Sequence, residues 1–258
     1  MKNNIENIHS EKHTILFHFK ELRKRLLLSL LFFGAAFLLT YSLAENIYDL
    51  LLIPLENIMK STGGTNRVIF TNLSDGFMTY LKTAMFGAFF LSIPFILLQL
   101  WMFISPALYK EEKKFIVPMI FSSIFLFLIG ALLAYKIVVP TIWKFFLSFQ
   151  TSAISNTIMP IELEAHMSHY FSLITKMITS FGLIFQLPIF IISFVKFKLV
   201  KVHTLRKGRK YFFLGSFVFG ALLTPPDIIS QMILAIPLYL LYELSISISK
   251  IISKNTRF

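Results

Sequence analysis

The stretch HFKELRKR (18–25) runs directly into LLLSLLFFGAAFLLTYSLA (26–44), so four Lys and Arg in eight residues give way to 19 residues without a charge. As a helix rising 1.5 Å per residue, that apolar run is about 28 Å long, close to the roughly 30 Å of bilayer hydrocarbon. Ser42-Leu43-Ala44 imitates a leader-cleavage site, but the run is longer than the 7–15 apolar residues of a secretory signal, and a long polar segment precedes it. It is expected to be an uncleaved span. Five further apolar segments follow, at Thr83–Ile104, Phe115–Val139, Tyr170–Val195, Tyr211–Leu223 and Gln231–Ile248. Segments 1–25, 105–114, 196–210 and 249–258, which alternate with the others, carry 19 of the 25 Lys and Arg. Acidic residues do not share this bias, as expected where orientation follows Lys and Arg and not net charge. The pattern predicts a multi-pass membrane protein with both termini in the cytoplasm.

Composition agrees. A mean hydropathy of +0.72, with 56% hydrophobic and 15% charged residues, is too apolar for a soluble domain of 258 residues. The connections are short, so residues 1–258 are read as one membrane domain. The net charge of +12 is concentrated on one side of the expected membrane, where anionic headgroups account for it better than nucleic acid does. The absence of cysteine excludes disulfides, thiolate metal sites and cysteine nucleophiles.

Between the spans, Asn46–Lys60 places Ile47, Leu50, Leu51, Leu55 and Ile58 near one helical face, which predicts a helix lying in the interface. Thr62-Gly63-Gly64-Thr65 reads as a turn. An outer loop is expected from Pro140, with Trp143, Phe145, Phe146 and Phe149 as an interfacial aromatic anchor. Tyr211–Leu223 has 13 residues, about 20 Å of helix, and Thr224-Pro225-Pro226-Asp227 follows at once. The hairpin of spans 5 and 6 is therefore expected to be short. No internal repeat is evident.

Two carboxylates lie among cations beside the expected spans: Glu21 in HFKELRKRL (18–26) and Glu112 in PALYKEEKK (106–114). Taken singly, each stretch is what positive-inside flanks and helix N-termini favour. Taken with the rest of the chain, they form a series: His18…Glu21-Leu22-Arg23…Arg25-Leu26, Pro54, Phe77 with Lys82, Trp101…Phe103…Pro106-Ala107-Leu108-Tyr109…Glu112, Phe181-Gly182…Phe185…Pro188, and Leu223-Thr224-Pro225-Pro226-Asp227…Ser230-Gln231…Leu234-Ala235-Ile236-Pro237. In this order and spacing, the chain resembles the TatC family, the multi-span subunit of the twin-arginine (Sec-independent) protein translocase.

The resemblance implies an all-α integral membrane protein of six spans in a bent, cup-like bundle, in the bacterial inner membrane. It implies a receptor for signal peptides with paired arginines, working in an oligomeric complex with single-span TatA- and TatB-type partners and drawing on the proton gradient, without cofactor or metal. A guanidinium presents a planar fork that pairs bidentately with a carboxylate, where lysine is a point charge. On that ground Glu112 is the expected principal partner of the arginines and Glu21 the second. Phe103 supplies apolar support, and Arg23 and Arg25 shape the same surface. Thr224 and Gln231 are the implied polar contacts for the single-span partners. Pro54, Phe77, Lys82, Pro94, Gln186 and Asp227 are assigned structural or translocation roles. At Gln186 the family often carries glutamate; glutamine can hydrogen-bond but cannot titrate.

Lys82 lies near the outer end of its span, from which it can snorkel, and Lys176 lies deeper, where a lysine costs about 2.5–3.5 kcal/mol on insertion scales. Pro94, Pro188 and Pro237 interrupt spans and predict kinks. Glu243 is read as the structural partner of a lysine. Two other functions compete. An intramembrane serine protease is excluded because Ser216 lacks a Gly-x-Ser frame and no histidine is deep in a span; His166 and His169 form a pair with no third ligand. A small-solute secondary transporter fits poorly with the missing repeat and the short fifth span.

Overall fold

The computed structural model describes residues 2–62, 68–70, 72–105, 113–154, 165–223 and 228–255. Its helices are α1 (Lys2–Ser42), α2 (Ala44–Thr62), α3 (Asp75–Ile104), α4 (Ile116–Leu133), α5 (Val139–Ile154), α6 (Met167–Ile184), α7 (Leu187–Lys196), α8 (Val202–Lys207), α9 (Arg209–Leu223) and α10 (Ile228–Asn255). A two-residue parallel pairing joins β1 (Val68–Ile69) to β2 (Ala165–His166). Among the described residues, five stretches are long and apolar enough to cross a membrane: His18–Ser42, Asp75–Ile104, Ile116–Leu147, Met167–Lys196 and Ile228–Ile252. The fold is therefore an all-α membrane bundle. The remaining expected span is α9, whose 15 residues make a helix of about 22 Å.

The helices pack around a mutual contact of α3, α4 and α6. α1 packs chiefly on α3, α3 on α4 and α6, and α4 on α6; α7 passes the chain to α10, which carries α9. α6 is the centre, with Ile174, Met177 and Phe181 fully buried. Its approach to α4 depends on two glycines. A Cβ at Gly182 would lie 2.5 Å from the Phe127 ring, and one at Gly130 would lie 2.7 Å from the Phe181 carbonyl oxygen. Elsewhere large apolar side chains face outward, Leu31, Phe121, Leu214 and Leu240 among them, as a lipid-facing surface requires.

Tertiary contacts also form in and beside the described parts of the Lys/Arg-rich segments. There Arg25 of α1 reaches Gln99 of α3, Lys196 lies over the Phe115 ring, Tyr242 donates to the Leu205 carbonyl, and Arg209 pairs with Glu243. The partner of Glu243 is thus an arginine and not the lysine expected from sequence. Arg209 opens α9 and faces the middle of α10 across the hairpin, a register set by tertiary packing.

Three other expectations are corrected. No loop begins at Pro140: the chain stays helical to Ile154, through a π-turn over Ala134–Val138 in which the Val139 N–H bonds the Ala134 carbonyl. That widened turn, just before Pro140, makes room for a ring that would otherwise crowd the carbonyl one turn back. Trp143 is consequently carried into the core, 9% exposed and 5.3 Å from the Tyr170 ring, and does not anchor an interface. Helix α2 exists as predicted, but its apolar face lies on protein and not on lipid. Leu51, Leu55 and Ile58 are buried against the α5–α6 core, and Leu50 is exposed.

The α2 helix also shows how Pro54 is accommodated. Proline has no N–H for the carbonyl of Leu50, four residues back. The Tyr135 hydroxyl donates to that carbonyl at 2.6 Å, and the Tyr170 hydroxyl donates to the next one, Leu51, at 2.6 Å. Buried Tyr170 and half-buried Tyr135 thereby supply donors to two successive carbonyls of the turn that holds Pro54.

Candidate functional site

On α1, Glu21 and Arg25 are one turn apart, with the acid N-terminal to the base, the favourable order for a helical pair. Arg25 Nε and Nη2 both donate to Glu21 Oε1, at 3.1 and 2.7 Å, and Arg25 Nη1 donates to Gln99 Oε1 of α3 at 3.2 Å. The two side chains are only 18% and 16% exposed, so water screens them weakly. Glu21 Oε2 is buried and has no hydrogen-bond partner among the described residues. One carboxylate oxygen thus takes both contacts while the other keeps its full capacity as an acceptor.

Two cavities open beside this pair and share Arg25 and Gln99. One, about 520 Å³, is lined by Lys20, Glu21, Lys24 and Met102 as well. The other, about 430 Å³, runs along the α1–α3 seam past Leu22, Leu26, Phe33 and Phe103. The recess gathers Lys20, Lys24 and Arg25 around the one carboxylate of Glu21, and the seam beside it is apolar.

The expected site residues divide as follows. Glu21, Arg25 and Phe103 come together around these two cavities. Arg23 is exposed and lines a different recess with Lys20, Lys24 and Leu31, because two residues along a helix turn the side chain by about 200°. Glu112 lies outside the described residues, as do Thr224 and Asp227. Gln99 was missed from sequence. Its signal is a polar residue inside an apolar run, one turn before Phe103 and so on the same face.

Deeper in the bundle, Trp101 Nε1 donates to Ser123 Oγ at 2.9 Å, and Gln186 Nε2 donates to the Ser123 carbonyl at 2.9 Å. Gln186 is 4% exposed and stands between α6 and α7, at the break imposed by Pro188. Its amide therefore joins α4 to the α6–α7 joint, while Oε1 has no partner among the described residues.

Toward the opposite end, Lys82 Nζ donates to Ser172 Oγ at 3.3 Å, linking α3 to α6. Lys176 Nζ donates at 2.8 Å to the Leu222 carbonyl, in the last turn of α9, where unpaired carbonyls and the helix dipole favour a cation. Gln231 Nε2 donates to the Phe217 carbonyl at 2.7 Å, and its backbone lies against Gly220, so it fastens the α9–α10 hairpin. Pro94 lies within the continuous helix α3, on an exposed face, and Phe77 is 58% exposed in the first turns of that helix.

Comparison with known proteins places this arrangement. The family model described as "Sec-independent protein translocase protein (TatC)" matches residues 17–237. The Sec-independent protein translocase protein TatC of Rickettsia prowazekii is 43% identical over 235 residues, covering 91% of this chain and 92% of that protein. Its counterpart in Escherichia coli K12 is 35% identical over 237 residues, covering 92% of this chain and 88% of that protein. A crystal structure of the twin arginine translocase receptor TatC superposes with a TM-score of 0.78 at 34% identity, covering 91% of this chain and 98% of that one.

Proposed function

Since the chain belongs to the TatC family of Sec-independent protein translocase proteins, we propose that it is the receptor subunit of a twin-arginine translocase. In this role it captures signal peptides with paired arginines at the α1–α3 seam. The observation that carries the reading is the Glu21–Arg25–Gln99 cluster at the head of the Phe103-lined seam. A half-engaged carboxylate accepts a ligand guanidinium, and the adjoining seam accepts the apolar segment of a signal peptide. Glu112, expected to be the principal partner of the arginine pair, belongs to the same proposal.

The alternation of Lys/Arg-rich segments with the other connections along the sequence supports an orientation with both termini in the cytoplasm of the bacterial inner membrane. It also supports counting α9 as the short fifth of six spans, tied to α6 by Lys176. Six short helices cannot enclose a hole wide enough for folded cargo, so single-span TatA- and TatB-type partners complete the passage, driven by the proton gradient. The relatives give no support to a small-solute transporter, and a receptor subunit needs no catalytic residue.

The test is photo-crosslinking of a twin-arginine peptide to membranes containing the protein, beside a Lys-Lys peptide and the variants Glu112→Ala and Glu21→Ala. Labelling that needs both arginines and is lost in Glu112→Ala, with partial loss in Glu21→Ala, is the expected result. Equal labelling in all cases would mean unselective hydrophobic capture and would overturn the proposal.

A further inference from the structure

Helix α1 presents two faces where it meets the membrane. Arg25 bonds Gln99 of α3, Ala36 is buried, and the Thr40 hydroxyl donates to the Ala84 carbonyl of α3 at 2.9 Å. At about 100° per residue these three positions fall within about 60° of one another and define the side packed on α3. Lys20, Arg23, Lys24, Leu27, Leu28 and Leu31 fall on the other side, and together they line one recess of about 430 Å³. All six are exposed, and every residue lining the recess belongs to α1. From Lys20 to Leu31 the stripe is about 16 Å long, with the cations at its head and the leucines beyond them.

The head is charged and unanswered. Glu21 is the one acid in residues 18–31, and Arg25 holds it. Lys20, Arg23 and Lys24 have no anionic partner among the described residues. Lys20 and Lys24 are one turn apart on the same face, close enough to share one anion. Leu27, Leu28 and Leu31 belong to the charge-free run 26–44, at hydrocarbon depth. The face thus offers three cations at headgroup level and an apolar strip one acyl chain long below them. An apolar helix would cover the leucines and leave three charges unpaired. An acidic peptide would pair the charges and leave the leucines bare. A zwitterionic lipid carries its own cation against its phosphate.

We propose that this outer face of α1 is a binding site for an anionic phospholipid, with the phosphate between Lys20 and Lys24, beside Arg23, and one acyl chain along Leu27, Leu28 and Leu31. Each basic residue at an anionic membrane surface contributes about a fivefold preference, so the two lysines together give about 25-fold. The site faces away from the α1–α3 seam and does not rest on the signal-peptide reading.

The experiment uses the full chain reconstituted in phosphatidylcholine vesicles containing a minor fraction of phosphatidylglycerol. Trace phosphatidylglycerol or phosphatidylcholine with the same photoactivatable acyl chain is added, and labelled peptides are mapped. The expected result is labelling of residues 27–31 by the phosphatidylglycerol probe, at least about tenfold above the phosphatidylcholine probe. Lys20→Gln with Lys24→Gln, both surface changes, brings the two probes to parity there, whereas Lys20→Arg with Lys24→Arg keeps the preference. Segment 196–210, with seven Lys and Arg and no acid, is the internal control, and its labelling is unchanged in both variants. Equal labelling of residues 27–31 by the two probes in the unaltered chain would overturn headgroup selectivity. A preference that survives the double glutamine variant would mean diffuse attraction by the whole basic surface and would overturn the site. Absence of labelling at 27–31 by either probe would mean that protein covers this face, and would overturn it as well.

Discussion

Glu21 and Arg25 make opposite predictions, and the sign separates a binding carboxylate from a merely structural ion pair. Both Arg25 contacts fall on Glu21 Oε1, and Oε2 is left without a donor. A ligand guanidinium that engages Oε2 adds a charge-assisted hydrogen bond, worth about 1.5–3 kcal/mol. At 1.4 kcal/mol per decade, this is between about tenfold and a hundredfold in Kd. Glu21→Gln keeps the shape and removes the charge, so it loses that factor for a twin-arginine peptide. Arg25→Gln leaves both carboxylate oxygens free, so affinity holds or rises, and the double variant behaves like Glu21→Gln. Arg25→Gln also unpairs a carboxylate that is only 16% exposed, which destabilises the empty protein. Added peptide then raises its Tm by more than it raises that of the unaltered chain. The assay is fluorescence anisotropy of a labelled peptide on protein in lipid nanodiscs, with a Lys-Lys peptide as reference, followed by a melting scan. Equal weakening by Glu21→Gln and Arg25→Gln would refute the reasoning and reduce the pair to a support of α1.

Three further predictions concern the frame around the site. Tyr170→Phe leaves the buried Leu51 carbonyl without its donor and costs about 1–3 kcal/mol, whereas Tyr135→Phe, whose acceptor lies on the exposed Leu50, costs under about 1 kcal/mol; denaturation in mixed micelles would rank them. Gly182→Leu drives a side chain into the fully buried Phe127 ring and costs at least about 1–3 kcal/mol, read as loss of the folded, monodisperse fraction after detergent extraction. Gln186→Glu destabilises at neutral pH more than Gln186→Leu does. A carboxylate cannot donate to the Ser123 carbonyl and brings a charge into the core, while leucine removes only the amide; the same melting assay checks the order.

The parts of the site that were legible in sequence are those written in local chemistry. Glu21 and Arg25 share an i,i+4 spacing that any helix would bring together. Phe103 belongs to a motif with its own pattern. Arg23 was expected beside Arg25, but helical geometry turns it to another face. The partner of Glu243 was misread because the α9–α10 register follows from the short hairpin, and sequence offers several cations within reach. Trp143 was misplaced because Pro140 normally signals a helix end, and the π-turn that cancels this signal forms only in the packed bundle. Gln99 and Ser123 carry polar groups whose purpose appears only when another helix delivers a partner.

Sequence by itself determined that this chain enters a membrane, roughly where its helices lie, and which ends carry positive charge. Those properties are sums over contiguous residues: apolar length against the thickness of hydrocarbon, and the cost of burying lysine or arginine. Tertiary structure alone decided which carbonyls around Pro54 are met by tyrosines, which helix Gln186 binds, and how two glycines set the distance between α4 and α6. It also decided that α2 rests on protein and that Lys176 closes the end of α9. These are contacts between residues distant in the chain. In a bilayer, lipid is as apolar as a neighbouring helix, so hydrophobicity cannot choose the partner. The choice falls to close packing and to a few hydrogen bonds, whose geometry exists only once the helices have assembled.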